Sequence, residues 1–250
     1  MSVHFVVSGR PCSASGFLFD KDGTLLTFDH WRAVMAERAR RIAAALRLTE
    51  LEHAALRRFM GLDPARPEDA TGGLIPVPRA DAEEATALYL AKDGKGERAK
   101  MRSLVARAFR EVDEAFPFER YLRPTPGAEE GLRAIRRAGG RTAIVTHDAG
   151  AAAQHHLAAL GWAELLDAVI GLEMCAERKP SPEPLLTACR ALRLAPGETV
   201  MVGDTASDLA AGRAAGCQLT VGVLTGLGKE EDLAPVADAV LPDLTAVEFL

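Results

Sequence analysis

Phe17-Leu18-Phe19-Asp20-Lys21-Asp22-Gly23-Thr24-Leu25 is the stretch that decides how this 250-residue chain is read. An apolar run stops abruptly at two aspartates spaced i, i+2, and Gly-Thr follows. In a strand those two positions share a side, so both carboxylates emerge together where the strand ends. Carboxylates held that close repel each other, and such pairs persist mainly where a cation or a shared proton relieves them. Gly23 allows a tight turn and close approach of backbone to a ligand. Thr24 offers a hydroxyl and, just past the turn, amides that face an anion. Taken alone, the motif is read equally well as an acidic turn after a buried strand.

Composition narrows the function classes. The chain is 48% hydrophobic and 26% charged with a net charge of −5, the profile of an ordinary globular protein. Its length suits one large domain, or a domain with an insertion. A pI near 5.7 and 5% aromatic residues argue against nucleic acid or an anionic membrane as partner. Cys12, Cys175, Cys189 and Cys217 are scattered without Cys-x-x-Cys spacing and fit neither a zinc site nor a disulfide framework. Free thiols and the lack of an export signal point to the cytoplasm. No apolar run has the length of a membrane span. Residues 1–16 read as a flexible N-terminal leader, with Phe5-Val6-Val7 too short for a signal core.

Beyond Thr27 the pattern is helical. One helix is expected over 31–48, with Arg32, Arg38, Arg40, Arg41 and Arg47 mostly on a solvated face. A second begins at Thr49, where Glu52 completes a capping box. Residues 61–79, rich in Pro and Gly, read as a long loop. Helices over 81–92 and 97–114 follow. From Phe116 onward short strands alternate with helices, with strands at 142–146, 166–171, 199–203, 219–223 and 239–241. That alternation predicts an α/β fold, a Rossmann-like parallel sheet with helices on both faces. Such sheets bind ligands at the carboxyl ends of their strands. Asp20/Asp22, Thr146, the Lys179 loop and Asp204/Asp208 all fall at such ends. Singly, Thr146 and Asp204 also read as helix caps and Lys179 as a solvated loop lysine.

In this order the residues resemble the haloacid dehalogenase-like superfamily, which carries DxDGT, then Thr or Ser, then Lys, then GDxxxD. Here these are Asp20-Lys21-Asp22-Gly23-Thr24, Thr146, Lys179, and Gly203-Asp204-Thr205-Ala206-Ser207-Asp208. The resemblance runs from Phe17 to Leu250 and is nearest to the C1-capped, phosphoglycolate phosphatase-like members. It implies a core formed by 17–27 and 119–250, with a helical C1 cap over 28–118.

The resemblance also implies roles. Asp20 is the nucleophile that forms an aspartyl-phosphate, and Asp22 is the acid/base that protonates the leaving group. A Mg²⁺ ion is held by the Asp20 and Asp204 carboxylates and the Asp22 carbonyl. Thr146 and Lys179 bind phosphate, with Gly23, Thr24 and His147 beside the substrate. Asp208 supports Lys179 or the metal. His147-Asp148 departs from the family, which often has Asn after the Thr. An acid at Asp22 favours phosphate-ester chemistry over dehalogenation. The expected activity is Mg²⁺-dependent hydrolysis of a small phosphorylated metabolite, phosphoglycolate-like or a sugar phosphate, by a monomer or homodimer. The alternatives are a phosphomutase of the β-phosphoglucomutase type and a non-enzymatic phosphate-ligand-binding regulator. Arg38, Arg41 and Arg79 are candidates for selecting the substrate.

Overall fold

The computed structural model describes residues 2–63 and 73–250. In chain order its main elements are β1 (Val3–Val7), β2 (Arg10–Ala14), β3 (Gly16–Phe19), α1 (Asp29–Leu46), α2 (Glu50–Phe59), α3 (Arg79–Lys92), α4 (Arg98–Ala115) and α5 (Ala128–Arg137). Then come β4 (Arg141–Val145), α6 (Gly150–Ala159), β5 (Ala168–Ile170), α7 (Glu183–Leu192), β6 (Thr199–Gly203), α8 (Ala206–Ala215), β7 (Leu219–Val223), α9 (Glu230–Leu233), β8 (Ala239–Leu241) and β9 (Val247–Phe249). No helix among the described residues is long and apolar enough to cross a membrane.

The chain divides into two compact units, Met1–Thr27 with Leu122–Leu250, and Phe28–Tyr121. The first is built on a six-stranded sheet of order β5-β4-β3-β6-β7-β8, parallel throughout. From β3 the chain builds outward through β4 and β5, then returns to the other side of β3 for β6, β7 and β8. The order therefore reverses beside β3, and a parallel sheet opens a crevice at that point. Side-chain alternation explains the two covered faces. Phe17 and Phe19 pack on one face with Leu132 and Ile135 of α5 and Leu157 of α6. Leu18 points the other way, into Leu185, Ala188 and Leu192 of α7 and Ala211 of α8.

The expected flexible leader is instead an ordered hairpin. Val3, Phe5 and Val7 alternate inward and are at most 3% exposed, while His4 faces out. Ser8 and Gly9 both have positive φ, 49° and 74°, the geometry of a two-residue hairpin turn. β1 pairs antiparallel with β2 and with β9, so Phe5 sits opposite Phe249. The apolar run looked short in sequence because its period-2 pattern began at Val3.

The second unit is helical. Val34, Met35, Ala39 and Ile42 of α1 and Val105, Phe109 and Val112 of α4 are buried. Thr49 caps α2 with the expected reciprocal box to Glu52. Arg38 departs from the solvated-face expectation. It is 3% exposed, donates to Asp113 Oδ1 at 2.6 Å, and lies 4.2 Å over the Phe109 ring. The expected loop at 61–79 is shorter than read, because Arg79 already opens α3. Its residues 64–72 lie outside the described residues.

Candidate active site

Asp20 is the first residue past β3. Its amide still donates to Val202 O on β6 at 3.0 Å, which fixes the carboxylate at the strand end. The chain then turns, and Lys21 O accepts both the Leu25 and Leu26 amides at 2.9 Å. Gly23 adopts φ 91°, and a Cβ there would lie 2.3 Å from Asp204 Oδ2. Glycine is required at this position on both counts.

Thr146 follows β4 and Asp204 follows β6, so both reach the end of the sheet where Asp20 sits. Lys179 arrives from the loop before α7. Its ammonium lies 2.6 Å from Asp20 Oδ1, 2.6 Å from Asp208 Oδ1 and 2.8 Å from Val145 O, with the side chain 1% exposed. Asp208 has a second task. Its Oδ2 accepts from Thr205 Oγ1 at 2.5 Å and from the Thr205 amide at 3.1 Å, which closes the capping box of α8. Asp20, Asp204 and Asp208 each present a carboxylate oxygen within 4.8 Å of the others.

The electrostatics follow from this crowding. Burial pushes the Asp20 carboxyl up to about 7; Lys179 opposes the shift, while Asp208 and Asp22 reinforce it. Asp204 is raised well above the carboxylate range by burial, then by Asp20 and Asp208. Burial favours the neutral amine of Lys179, but Asp20 and Asp208 outweigh it and hold the group protonated. One ammonium thus faces three buried carboxylates. A hard cation with oxygen ligands fits that imbalance. Asp208 is held by the Lys179 ammonium on one oxygen and by Thr205 on the other, whereas the Asp204 carboxylate meets, among the described residues, only the neutral donors Thr24 and Leu227.

The remaining expected residues divide. Asp22 is partly exposed and its Oδ1 accepts from Lys21 Nζ at 2.7 Å. Thr146, 6% exposed, accepts the Asp148 amide at 3.1 Å. Thr24 is expected beside an anion. It has no exposed surface, and its hydroxyl donates to Asp204 Oδ1 at 3.2 Å. His147 lines a small recess with Thr146, Arg178 and Lys179. Its Nε2 is buried without a hydrogen-bond partner among the described residues. Burial, then Lys179, lowers the imidazole to about 4. Arg41 and Arg79 pair with carboxylates of the helical unit, Arg41 with Glu37 and Glu111, Arg79 with Glu83 and Asp113.

Sequence reasoning missed the loop after β7. The Leu227 amide donates to Asp204 Oδ2 at 2.8 Å and the Gly228 amide to Asp204 O at 2.9 Å. A Cβ on Gly226 would lie 1.9 Å from Asp204 Oδ2. Thr225 Oγ1 donates to Gly23 O at 2.5 Å, which joins this loop to the opening motif. The Gly-x-Gly at 226–228, just past a strand, was the available signal.

An acidic cluster around Lys179, placed where a parallel sheet reverses its order, marks the class of open α/β proteins that bind ligands at the carboxyl ends of their strands. Within that class the chain belongs to the haloacid dehalogenase-like hydrolase family, whose model matches residues 14–216. A plasmid-borne phosphoglycolate phosphatase of Cupriavidus necator is 39% identical over 125 residues, 50% of this chain and 54% of that protein. The chain thus spans about half the length of the curated relatives it matches. Two solved structures share the fold. A predicted phosphoglycolate phosphatase from Haemophilus somnus has a TM-score of 0.64 at 21% identity, covering 92% of this chain and 95% of that one. A provisionally assigned β-phosphoglucomutase from Thermotoga maritima has a TM-score of 0.65 at 22% identity, covering 93% and 96%.

Proposed function

We propose that this chain is a Mg²⁺-dependent phosphatase acting on a small phosphomonoester of the phosphoglycolate type. The observation that carries the proposal is Asp20, fixed at the end of β3, 2.6 Å from Lys179 and clustered with Asp204. Asp20 attacks phosphorus, the bond to the leaving oxygen breaks, and Asp22 gives that oxygen its proton. Water then attacks the aspartyl-phosphate and returns a proton to Asp22, releasing Asp20 and inorganic phosphate. Lys179 and Thr146 hold the phosphoryl oxygens, and Lys179 stabilises the charge that builds on them. Asp20, Asp204 and the Asp22 carbonyl would hold the metal, which supplies positive charge against the phosphate dianion.

The raised Asp20 fits this reading, because a cation at the cluster favours its ionised, nucleophilic form. The helical insertion Phe28–Tyr121 is proposed as the cap that selects the substrate. The four free cysteines support a reducing, cytoplasmic setting. The test is phosphate release from p-nitrophenyl phosphate and 2-phosphoglycolate, with and without Mg²⁺. Turnover that needs Mg²⁺ and is lost in Asp20→Asn is expected. Full activity in Asp20→Asn would overturn the nucleophile, and isotope transfer between sugar positions without phosphate release would favour a mutase.

A further inference from the structure

Lys21 has no exposed surface, yet no step above uses it. Its ammonium lies 2.7 Å from Asp22 Oδ1, 2.9 Å from Asp148 Oδ2 and 3.5 Å from His156 Nδ1. Burying an ammonium is costly, and after Phe17, Leu18 and Phe19 an apolar side chain would fill a merely structural slot at less cost. The groups around it are themselves fixed. The Lys21 carbonyl accepts two amides of the turn. Asp148 donates its amide to Thr146 Oγ1 at 3.1 Å and accepts the Leu172 amide at 2.9 Å. His156, on α6, is 1% exposed. The Asp22 side chain keeps 14% of its surface while that of Lys21 keeps none, so the pair is sealed behind the lysine and open on the carboxylate side.

We propose that Lys21 is a positioning residue. It holds Asp22 Oδ1, which sets the carboxylate plane and assigns proton exchange with the leaving group to the other oxygen. Asp148 anchors the ammonium from the loop after β4. Asp148, two residues past Thr146, thereby acquires a use as a second carboxylate partner that holds the ammonium in place. The inference rests on the phosphatase reading above. Its chemical content is narrow: the proton leaves Asp22 for the oxygen whose bond to phosphorus is breaking, and Lys21 neither gains nor loses one.

The test compares kcat/KM for p-nitrophenyl phosphate, whose leaving group needs little protonation, with that for 2-phosphoglycolate, whose alkoxide needs it. In Lys21→Met the aryl-to-alkyl ratio is expected to rise at least about tenfold, a part of the roughly 100-fold or more that a positioned acid contributes in full. Asp148→Asn, which keeps the Lys21–Asp22 contact, is expected to move the ratio the same way by a smaller factor. It serves as the reporter if circular dichroism shows Lys21→Met unfolded. A folded variant that loses both substrates in equal proportion overturns the positioning role and leaves the phosphatase reading intact. A wild-type protein inactive on both esters overturns the two together.

Discussion

Lys179 Nζ lies 2.6 Å from Asp20 Oδ1, and its only other carboxylate partner among the described ion pairs, Asp208 Oδ1, is equally close. The ammonium therefore holds the proposed nucleophile to the first turn of α8, whose capping box Asp208 also closes. Removing it leaves buried carboxylates facing one another. Lys179→Met should lose about 3–5 kcal/mol of stability, the usual cost of breaking a buried pair from one side. Phosphatase activity should fall by at least about 100-fold, as when one charge-stabilising donor is removed. Added Mg²⁺ should recover part of the thermal stability, because a cation at Asp20 and Asp204 relieves the same repulsion. Thermal unfolding with and without Mg²⁺ checks this, and a variant as stable as wild type without the metal contradicts it.

Gly226 tests the clamp on Asp204. A methyl group there would meet Asp204 Oδ2 at 1.9 Å, and the neighbouring Leu227 amide fixes that same oxygen. Gly226→Ala must therefore displace either the loop or the carboxylate. The expected result is a Mg²⁺ activation constant raised about tenfold or more, the range seen when groups that orient a metal ligand are lost. A Mg²⁺ titration of activity measures it. An unchanged constant would show that the loop does not set the position of Asp204.

The cap of α2 was legible from sequence alone and predicts its own energetics. The Thr49 side chain accepts the Glu52 amide, and the Glu52 side chain accepts the Thr49 amide at 2.8 Å. Thr49→Ala should cost about 1 kcal/mol, the common loss at such a cap. Because α2 belongs to the helical unit, phosphatase activity of the folded protein should change little. Urea unfolding followed by circular dichroism gives the stability term.

The comparison of sequence with structure separates what is local from what is not. The parallel sheet was readable because its strands are short apolar runs punctuated by Gly and Pro, and Thr199–Gly203, Leu219–Val223 and Ala239–Leu241 have the expected bounds. The hairpin at 3–14 was not, since β1 gains its meaning from pairing with β9 some 240 residues away in the chain. Arg38 misled for a similar reason. An arginine on a helix reads as solvated until a partner such as Asp113 on another helix is known. At the site, Asp20, Thr146, Lys179, Asp204 and Asp208 are brought together at one end of the sheet. The Thr24 hydroxyl meets Asp204, a contact 180 residues distant that the local sequence does not reveal.

His147 gives a pH prediction with a definite sign. Burial, and then the Lys179 charge, lower its imidazole from 6.5 to about 4, so the folded protein keeps it neutral where the unfolded chain protonates it. Between those values the unfolded state binds more protons, and stability rises with pH across the window. His147 therefore contributes a term fully present above about pH 6.5 and lost as pH falls toward 4. Discounted for partial exposure, the part lost between pH 7 and pH 5 is about 1 kcal/mol. His147→Gln, which cannot titrate, should lose that much less stability than wild type over the same interval. Urea unfolding of both proteins at the two pH values decides the matter. Parallel losses would mean that His147 becomes protonated in the folded state, which its place beside the Lys179 ammonium argues against.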